Sequence, residues 1–428
     1  MQSPLSAAKE STTQSGEIDF LSVFDQTEDK EKWPLVRDWM KNYPQAFFKQ
    51  LRSQRPVLVT PECTLIARYD DVIEALNQPT IFTVALYKPK MGDYLMTEDD
   101  TFMHNTEKEI MLSLLKREDL PRIRQFVADK SDEILNQANG KLDLVDNYCR
   151  MVPVSMVQTI FGLDGISPKT LIKWSYWNQY NAFKNQPFHV AADSPQVHNN
   201  MKSANRMLGL YVFTVMIRKW WHILIGKPKN DTVTRLLKEN YPKESKFNIF
   251  RQGINAGGLL IGAVETTSEA VVYALHQLSL RPDMWQKAID LANSDDTESF
   301  DKIVWEALRF QPIAPYIFRE LSQDYTIGKG ESYETTMPKG TTVLNLIGSA
   351  MFDPVAFDHP DEFDPSREFG KSFHFGFASH QCLGKIIGMV MIPEMVRQVL
   401  RRPDIKVDSP IGYADEPFPK HYPFSWTT

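Results

Sequence analysis

The amino-acid sequence predicts a mainly α-helical fold with a small β portion. Hydrophobic side chains make up 42% of the 428 residues, which is ample for one large buried core. No Gly/Ser linker, internal repeat or change of composition divides the chain after its first twenty residues. Apolar residues recur at helical spacing in several segments, whereas β-type runs are short and few. We therefore expect a polar, disordered tail over residues 1–20 and a single large domain over residues 21–428.

The β portion is predicted near the N-terminus. Residues 55–59 and 63–68 are β-type runs separated by a Thr-Pro-Glu turn, which indicates a hairpin. Acidic residues directly after this hairpin cap a predicted helix over residues 69–77. Residues 83–96 contain proline and glycine and have no clear period, so we expect a loop there.

Helices are predicted for most of the remaining chain. One begins at Phe102, an apolar core helix covers residues 143–163, and the longest covers residues 250–280. The apolar stretch 207–217 is shorter than the ~20 residues needed to cross a bilayer. Two tryptophans follow it and could touch a membrane interface, but we expect a helix that faces the core.

Composition and charge argue against several classes of function. The net charge of −6 and the pI of about 5.9 argue against a nucleic-acid partner. Three cysteines, Cys63, Cys149 and Cys382, are too few for a disulfide framework or a zinc site, which favours a reducing, cytoplasmic environment. The N-terminal residues lack an apolar run, so no transmembrane anchor is expected.

The most informative motif lies between residues 373 and 384. It places Cys382 between a turn-forming run and an apolar segment with helical spacing. Because unpaired N–H groups and the dipole at a helix N-terminus favour an anion, we expect a lowered pKa for the Cys382 thiol. A single thiolate of this kind suits one axial position on a heme iron. The common alternative for a cysteine in apolar surroundings is a buried, inert side chain.

This segment resembles the heme-binding loop of the cytochrome P-450 superfamily, the heme-thiolate monooxygenases, whose pattern is Phe-Gly-x-Gly-x-His/Arg-x-Cys-x-Gly. The residues in register are Phe375, Gly376, His380, Cys382 and Gly384. Ala378 replaces the second glycine of the pattern, which predicts a strained or reshaped bulge. The resemblance implies a heme b (iron protoporphyrin IX) with Cys382 as its metal ligand, Phe375 and Gly384 beside the cofactor, and His380 meeting a heme propionate.

Two other segments resemble family elements that hold the heme. His104 and Lys108 are four residues apart, so both lie on one face of the predicted helix. The family has a histidine and an arginine here, each reaching a heme propionate, and Arg319 stands at a further propionate-binding position. Lys108 carries the charge but lacks the bidentate fork of an arginine. Without the resemblance, His104 and Lys108 would be read as surface charges.

Small and polar residues interrupt the longest predicted helix at Gly262-Ala263-Val264-Glu265-Thr266. A buried carboxylate is costly unless it is paired or used, and a threonine can bond to the carbonyl four residues back. The segment resembles the family pattern Ala/Gly-Gly-x-Asp/Glu-Thr. Glu265 and Thr266 are therefore the expected catalytic pair, which delivers protons to dioxygen. A threonine-rich turn with a solvated glutamate is the alternative.

Three charged residues are expected to support the cysteine loop. Glu306 and Arg309 have the three-residue spacing of a helical ion pair, and they resemble a charged pair of the family. Arg367 stands where the family has the third member of this cluster. The extended segment after the pair is expected to face the substrate with Ile313, Ala314 and Pro315.

These motifs imply a monooxygenase that inserts one oxygen atom of O2 into a largely apolar small molecule. The sequence has no flavin or nicotinamide fingerprint and no iron–sulfur cysteine set, so a separate ferredoxin or flavodoxin with its reductase should supply electrons. We expect this partner to dock on basic residues that follow the cysteine, namely Lys385, Arg397, Arg401 and Arg402. Two alternatives remain, a peroxide-dependent or hydroperoxide-rearranging heme-thiolate enzyme and a non-catalytic heme-binding sensor. The acid–threonine pair counts against the first.

Overall fold

The computed structural model describes residues 18–99 and 101–428, and α-helices form most of it. In chain order the helices are α1 (Phe20–Gln26), α2 (Asp29–Asn42), α3 (Pro44–Gln54), α4 (Tyr69–Leu76), α5 (Lys88–Met91), α6 (Phe102–Leu114), α7 (Leu120–Gln137), α8 (Met151–Met156), α9 (Pro168–Phe183), α10 (Pro195–Leu224), α11 (Thr232–Lys238), α12 (Ile249–Ala263), α13 (Glu265–Ser279), α14 (Pro282–Ala292), α15 (Thr297–Phe310), α16 (Ile347–Ala350) and α17 (Lys385–Leu400). The strands are β1 (Val57–Val59), β2 (Thr64–Ile66), β3 (Phe82–Thr83), β4 (Lys141–Asp143), β5 (Ile317–Leu321), β6 (Tyr325–Ile327), β7 (Thr335–Met337), β8 (Thr342–Asn345), β9 (Lys406–Val407) and β10 (Pro423–Ser425). The predicted mainly α fold with a small β portion is confirmed.

The described residues form two compact units, each built from several stretches of chain. Unit 1 comprises the described part of Met1–Ala85 together with Ala314–Glu362 and Lys371–Ser379. Unit 2 comprises Leu86–Ile313, Phe363–Gly370 and His380–Thr428. The single domain predicted for residues 21–428 stays a prediction. Of the predicted tail, residues 1–17 lie outside the described residues, whereas Phe20 begins α1 and is buried.

Unit 1 is organised around a five-stranded sheet with the order β1-β2-β8-β5-β3. β1 and β2 form the predicted hairpin, in which Val57 lies opposite Ile66 and the Thr60 N–H donates to the Cys63 carbonyl at 2.9 Å. β8 pairs in parallel with β2 and antiparallel with β5. The sheet therefore joins the N-terminal hairpin to the strand that carries Arg319.

Unit 2 is mostly helical and has α12 and α13 at its centre. These two helices cover the predicted segment 250–280, with a break at Val264 between them. By length and composition the stretch Ile249–Ser279 could cross a membrane, but 83% of its most apolar window is buried, as in a core helix. α17 packs against α7, α13 and α15, so the helix that follows the cysteine loop lies within the core of unit 2.

The structure departs from the predicted elements in three places. The predicted loop 83–96 contains the one-turn helix α5, which a proline near its first position favours. Residues 143–163 do not form one helix, because β4 begins the stretch and two π-helical turns flank α8. The amphipathic helix predicted over residues 207–217 is present within α10, but only one of its sides faces the core. Leu208, Val212 and Val215 are buried, whereas Met207, Leu210, Phe213 and Ile217 are exposed.

Candidate heme site

The cysteine loop ends directly before α17. Cys382 is accessible, whereas Cys63 and Cys149 are buried. Gly384 is the N-cap residue of α17, so Cys382 lies just before the helix, as predicted. A side-chain carbon built on Gly384 would lie 3.9 Å from the Cys382 sulfur, so the glycine leaves room beside it. The structure thus makes Cys382 the accessible thiol among the three cysteines.

A turn with left-handed backbone precedes the cysteine. The Gly376 N–H donates to the Phe373 carbonyl at 2.9 Å, and Gly376 has a φ of 71°. Ala378 has a φ of 54°, a conformation that costs an L-residue roughly 1–2 kcal/mol. The strain that was predicted from the missing glycine is therefore present, and Phe375 of unit 1 lies half-buried in this turn.

The expected lowering of the Cys382 pKa is wrong for this structure. Cys382 is exposed as a residue, but the protein around its thiol excludes enough water that burial raises the pKa of the thiol. The Gly384 N–H and the Lys108 ammonium lower that pKa without reversing the effect. Coordination to a metal deprotonates a thiol outright. The thiolate would therefore come from ligation rather than from the helix N-terminus.

Three of the four predicted propionate-binding residues meet within unit 2. His104 is fully buried in α6, and its Nδ1 lies 2.8 Å from the Leu95 carbonyl oxygen. The rings of His104 and His380 have centroids 4.5 Å apart. Lys108 donates from Nζ to the Gln381 carbonyl at 2.8 Å. α6 thus presents both residues to the segment that precedes the cysteine, as their four-residue spacing predicts.

Sequence reasoning missed a buried polar network that fixes α6 against α12. The two carboxylate oxygens of Glu107 accept hydrogen bonds from Arg251 Nε at 2.5 Å and Nη2 at 2.7 Å. Asn255 donates to the same carboxylate at 2.7 Å and accepts from the Leu95 N–H at 3.3 Å. Glu107 is adjacent to Lys108, so this network sets how α6 is oriented.

The break between α12 and α13 carries the accessible part of the central helix. Thr266 donates from Oγ1 to the Gly262 carbonyl at 2.7 Å, which is the bond that the sequence predicted. Gly262 is exposed and Thr266 half-buried, although most residues on both sides of the break are buried. A side-chain carbon built on Gly262 would meet no atom within 4 Å. Open space therefore lies beside the threonine hydroxyl.

Glu265 faces away from this open space. It is fully buried and accepts hydrogen bonds from Arg150 Nε at 2.8 and 3.1 Å. Arg150 also pairs with Asp146 and donates to the Pro419 carbonyl at 3.3 Å. Burial raises the pKa of Glu265, and the Arg150 guanidinium opposes that shift. The two residues of the predicted catalytic pair are thus neighbours in sequence with different surroundings.

Tyr94 is another residue that sequence reasoning missed. Its ring lies directly against Gly258 of α12, where any side-chain carbon would collide with it. Burial raises the pKa of the Tyr94 phenol, and the charge of a Cys382 thiolate raises it further. The pair Gly257-Gly258 in an apolar helix was the available signal, because glycine permits close approach of another group.

The predicted supporting cluster is assembled in unit 2. Arg309 donates to the Glu306 carboxylate at 2.8 and 3.0 Å, and both residues are buried. Arg367 Nε lies 3.4 Å from Glu306 Oε1, and the Asp364 N–H donates to that oxygen at 2.9 Å. The carboxylate therefore ties α15 to the segment that precedes the cysteine loop.

The remaining predicted residues are divided between the units. Arg319 lies in β5 of unit 1, opposite Val343 of β8, and donates to the Phe318 carbonyl at 2.8 Å. Ile313 belongs to unit 2, whereas Ala314 and Pro315 belong to unit 1. All three are half-buried, and their role as substrate contacts stays a prediction.

The predicted docking face after the cysteine needs correction. Arg397 is buried and donates to the Ala292 carbonyl at 3.0 Å and to Thr297, so it is unavailable to a partner. Arg402 is held by Asp132 at 2.6 Å. Arg401 is exposed and Lys385 half-buried, so these two alone of the four keep an accessible charge. α17 turns Arg397 into the core, whereas Arg402 lies beyond the end of the helix and is half-buried.

The donor set of unit 2 fits a heme held by one thiolate. Within residues 18–99 and 101–428, no group of three or more His, Cys, Asp or Glu side chains could hold a metal ion. The accessible thiol, the open space at Gly262, and the cluster of His104, Lys108 and His380 match a large anionic cofactor with a single protein ligand to its metal.

Comparison with known proteins identifies the family of this chain. The sequence model of the family described as Cytochrome P-450 matches residues 121–412, about two thirds of the chain. Pulcherriminic acid synthase of Bacillus subtilis (strain 168) is 24% identical over 402 residues, which cover 89% of this chain and 93% of that protein. Steroid C26-monooxygenase of Mycobacterium tuberculosis (strain ATCC 25618 / H37Rv) is 22% identical over 373 residues, which cover 85% of this chain and 87% of that protein.

Solved structures show the same fold. CalO2 superposes with a TM-score of 0.77 at 19% identity, covering 91% of this chain and 97% of that one. The open form of cytochrome P-450 EryK from S. erythraea gives a TM-score of 0.73 at 20% identity, covering 89% and 94%. The fold is that of the cytochrome P-450 enzymes, a class of heme-thiolate oxidoreductases. The chain belongs to the cytochrome P-450 family.

Family membership confirms the predicted cofactor and the general activity. The chain is a monooxygenase that binds heme b, as members of this family do.

Proposed function

We propose that the protein inserts one oxygen atom of O2 into a largely apolar small molecule in the cytoplasm. A separate ferredoxin or flavodoxin with its reductase supplies the electrons. The observation that carries the proposal is the break at Val264, where an accessible threonine hydroxyl borders open space along a buried helix. The accessible residues there, Gly262, Ala263 and Thr266, carry no charge, which suits an apolar substrate. One relative is named for its action on a steroid.

Heme, when bound, supplies a redox-active iron at which O2 is activated, and a thiolate ligand favours cleavage of the O–O bond. In this proposal Cys382 Sγ is the ligand. His104, Lys108 and His380 hold the propionates. Gly384 borders the cofactor, and the cluster of Glu306, Arg309 and Arg367 keeps the cysteine loop in place.

Thr266 and Glu265 divide the handling of protons. The Thr266 hydroxyl is accessible and can hold a water and pass a proton through it. Glu265 has a raised pKa and is bonded to Arg150, so it can exchange a proton only when that ion pair loosens. Insertion of one oxygen consumes two electrons and two protons and releases water, which makes proton supply at this point necessary.

A spectrum and a coupling assay test the proposal together. The reduced protein under carbon monoxide should show the strongly red-shifted Soret band of thiolate ligation in wild type and in Cys63→Ser, and lose it in Cys382→Ser. With a reductase partner, Thr266→Ala should consume electrons at the wild-type rate. It should form less product than wild type and more hydrogen peroxide. Thr267→Ala, one residue further and buried, is the matched control and should stay coupled.

Two results would contradict the proposal. A histidine-type heme spectrum in wild type would remove Cys382 as ligand. Full turnover with peroxide alone, unchanged in Thr266→Ala, would favour a peroxide-dependent or rearranging enzyme.

For the redox partner, the accessible charges at Lys385 and Arg401 replace the larger docking face predicted from the sequence.

A further inference from the structure

α10 presents a long apolar stripe to solvent. The exposed side chains recur every three or four residues, which places them along one side of the helix. They are between 47% and 60% exposed and comprise Met207, Leu210, Phe213, Ile217, Trp220, Trp221, Leu224 and Ile225. From Met207 to Leu224 the stripe runs about 25 Å along the helix.

The exposed apolar area of this stripe is larger than isolated hydrophobic side chains on a protein surface would give. Each large aromatic side chain has 150–250 Å² to bury, so Phe213, Trp220 and Trp221 alone present on the order of 300 Å². The five aliphatic side chains add to the same face. Patches of this size on a monomer mark a surface that binds something.

The charge of this segment is the opposite of the charge of the whole chain. Residues 194–230 contain no aspartate or glutamate, while the protein carries a net charge of −6. The basic residues of the segment are Lys202, Arg206, Arg218, Lys219, Lys227 and Lys229. Tryptophan is enriched at membrane–water interfaces, and a helix with an apolar side and lysine or arginine on its polar side binds anionic lipid surfaces.

A cleft with excess positive charge adjoins the C-terminal end of the stripe. It has a volume of about 120 Å³ and is lined by Asp164, Arg218, Lys219, His222, Lys229 and Thr234. Lys229 and Arg218 share the single carboxylate of Asp164, and Lys219 pairs with Asp231 at 2.5 Å. Three cations therefore face two carboxylates. Burial raises the pKa of Asp164, but these cations bring it below its ordinary value.

One polar group of this cleft lacks a partner. Thr234 is buried, and its Oγ1 has no hydrogen-bond partner within residues 18–99 and 101–428. A hydroxyl beside three cations is a donor suited to a phosphate oxygen.

We infer that the exposed side of α10 docks on an anionic lipid bilayer. The apolar stripe lies at the boundary between headgroups and acyl chains, and the cleft lies at the level of the lipid phosphates. A second copy of this chain is a poorer occupant, because it would bring two acid-free basic segments together. Bilayer phosphates instead complement the charge along the whole segment. The inference does not depend on the proposed reaction.

Vesicle binding of the heme-loaded, full-length protein tests this inference. Vesicles of phosphatidylcholine with an equal part of phosphatidylglycerol should bind the protein at least about tenfold more tightly than pure phosphatidylcholine, because each cation near an anionic surface adds about 1 kcal/mol. Brominated acyl chains should quench wild-type tryptophan fluorescence, and less so in Trp220→Phe/Trp221→Phe.

Substitutions separate the apolar and charged contributions. Ile217→Ser/Trp221→Ser should lose binding by about tenfold or more, since both side chains are exposed and leave the core intact. Lys227→Glu/Lys229→Glu should remove the preference for anionic lipid. Leu280→Ser/Val355→Ser changes two apolar residues elsewhere that are at least as exposed, and this variant should bind like wild type.

Three outcomes would overturn the inference. One is absence of binding to anionic vesicles at physiological ionic strength. Another is a dimer in light scattering that Ile217→Ser/Trp221→Ser dissociates, which would assign the stripe to a second copy. The third is vesicle binding that Ile217→Ser/Trp221→Ser leaves unchanged, which would show that the stripe does not contact the bilayer.

Discussion

Glu269 is a buried carboxylate one helical turn after Glu265. It accepts a hydrogen bond from the Tyr273 hydroxyl at 3.2 Å, and Lys184 Nζ lies 3.9 Å away. Burial raises the pKa of Glu269 to about 7, because the Lys184 charge offsets only part of the lost hydration and Glu265 repels a second negative charge. We predict that Glu269→Gln stabilises the protein above neutral pH.

The sign and the size of the effect follow from the two pKa values. The ordinary pKa of a glutamate is 4.5, so between pH 4.5 and about 7 the folded protein holds a proton that the unfolded chain has lost. Stability of the wild type therefore falls as pH rises through this window, by roughly 3 kcal/mol at about 1.4 kcal/mol per pKa unit. Glutamine resembles the protonated acid, so Glu269→Gln should match the wild type near pH 5 and exceed it by roughly 2–3 kcal/mol at pH 8.

Chemical denaturation of the heme-loaded protein at a series of pH values measures this difference. Glu109→Gln removes the same charge from an exposed site on α6 and should change stability by less than about 0.5 kcal/mol. If the free energies of unfolding of Glu269→Gln and wild type differ by the same amount at pH 5 and at pH 8, the reasoning is refuted. It would mean that Glu269 keeps its hydration in the folded protein.

Three further substitutions test the supports of the site. Glu107→Gln leaves the buried Arg251 without its carboxylate and should lower stability by about 3 kcal/mol. Ala378→Gly removes a side chain at positive φ and should raise stability by about 1 kcal/mol, as measured by thermal unfolding. Glu306→Gln breaks the buried pair with Arg309 and should lower stability by about 3 kcal/mol and speed heme loss to an excess of apomyoglobin.

Each of these tests has a control of matched chemistry. Glu109→Gln serves for Glu107→Gln, and Glu298→Gln, on the exposed end of α15, serves for Glu306→Gln. Ala288→Gly places glycine at a buried helical position with ordinary backbone, so it should destabilise by about 1 kcal/mol where Ala378→Gly stabilises. Equal signs for the two alanine substitutions would contradict strain at Ala378.

The parts of the site that depend on local spacing could be predicted from the sequence. Glu306 and Arg309 meet because three residues along a helix return to the same face. Thr266 reaches the Gly262 carbonyl because a helix offers it four residues back. The turn at Gly376 and the strain at Ala378 follow from the residues of one loop. None of these features needs knowledge of distant contacts.

Contacts between distant stretches could not be predicted in this way. Arg150 is 115 residues from Glu265, and Arg251 is 144 residues from Glu107. No periodicity relates these positions, so the sequence showed a costly buried acid without its cation. The partner of Arg397 was also not visible in the sequence. This residue of α17 was expected at the surface, but it is bonded to the Ala292 carbonyl.

The choice of buried side on α10 has a physical cause that lies on α12. Apolar residues cover both sides of α10, so its own pattern does not decide which side faces the core. Gly253 and Gly257 lie one turn apart on α12. A side-chain carbon built on Gly253 would lie 3.4 Å from the Met216 sulfur, and one on Gly257 would lie 3.7 Å from Leu208. These glycines let the side of α10 that carries Leu208 and Met216 pack closely against α12. The opposite side, which carries both tryptophans, therefore faces solvent or a bound surface.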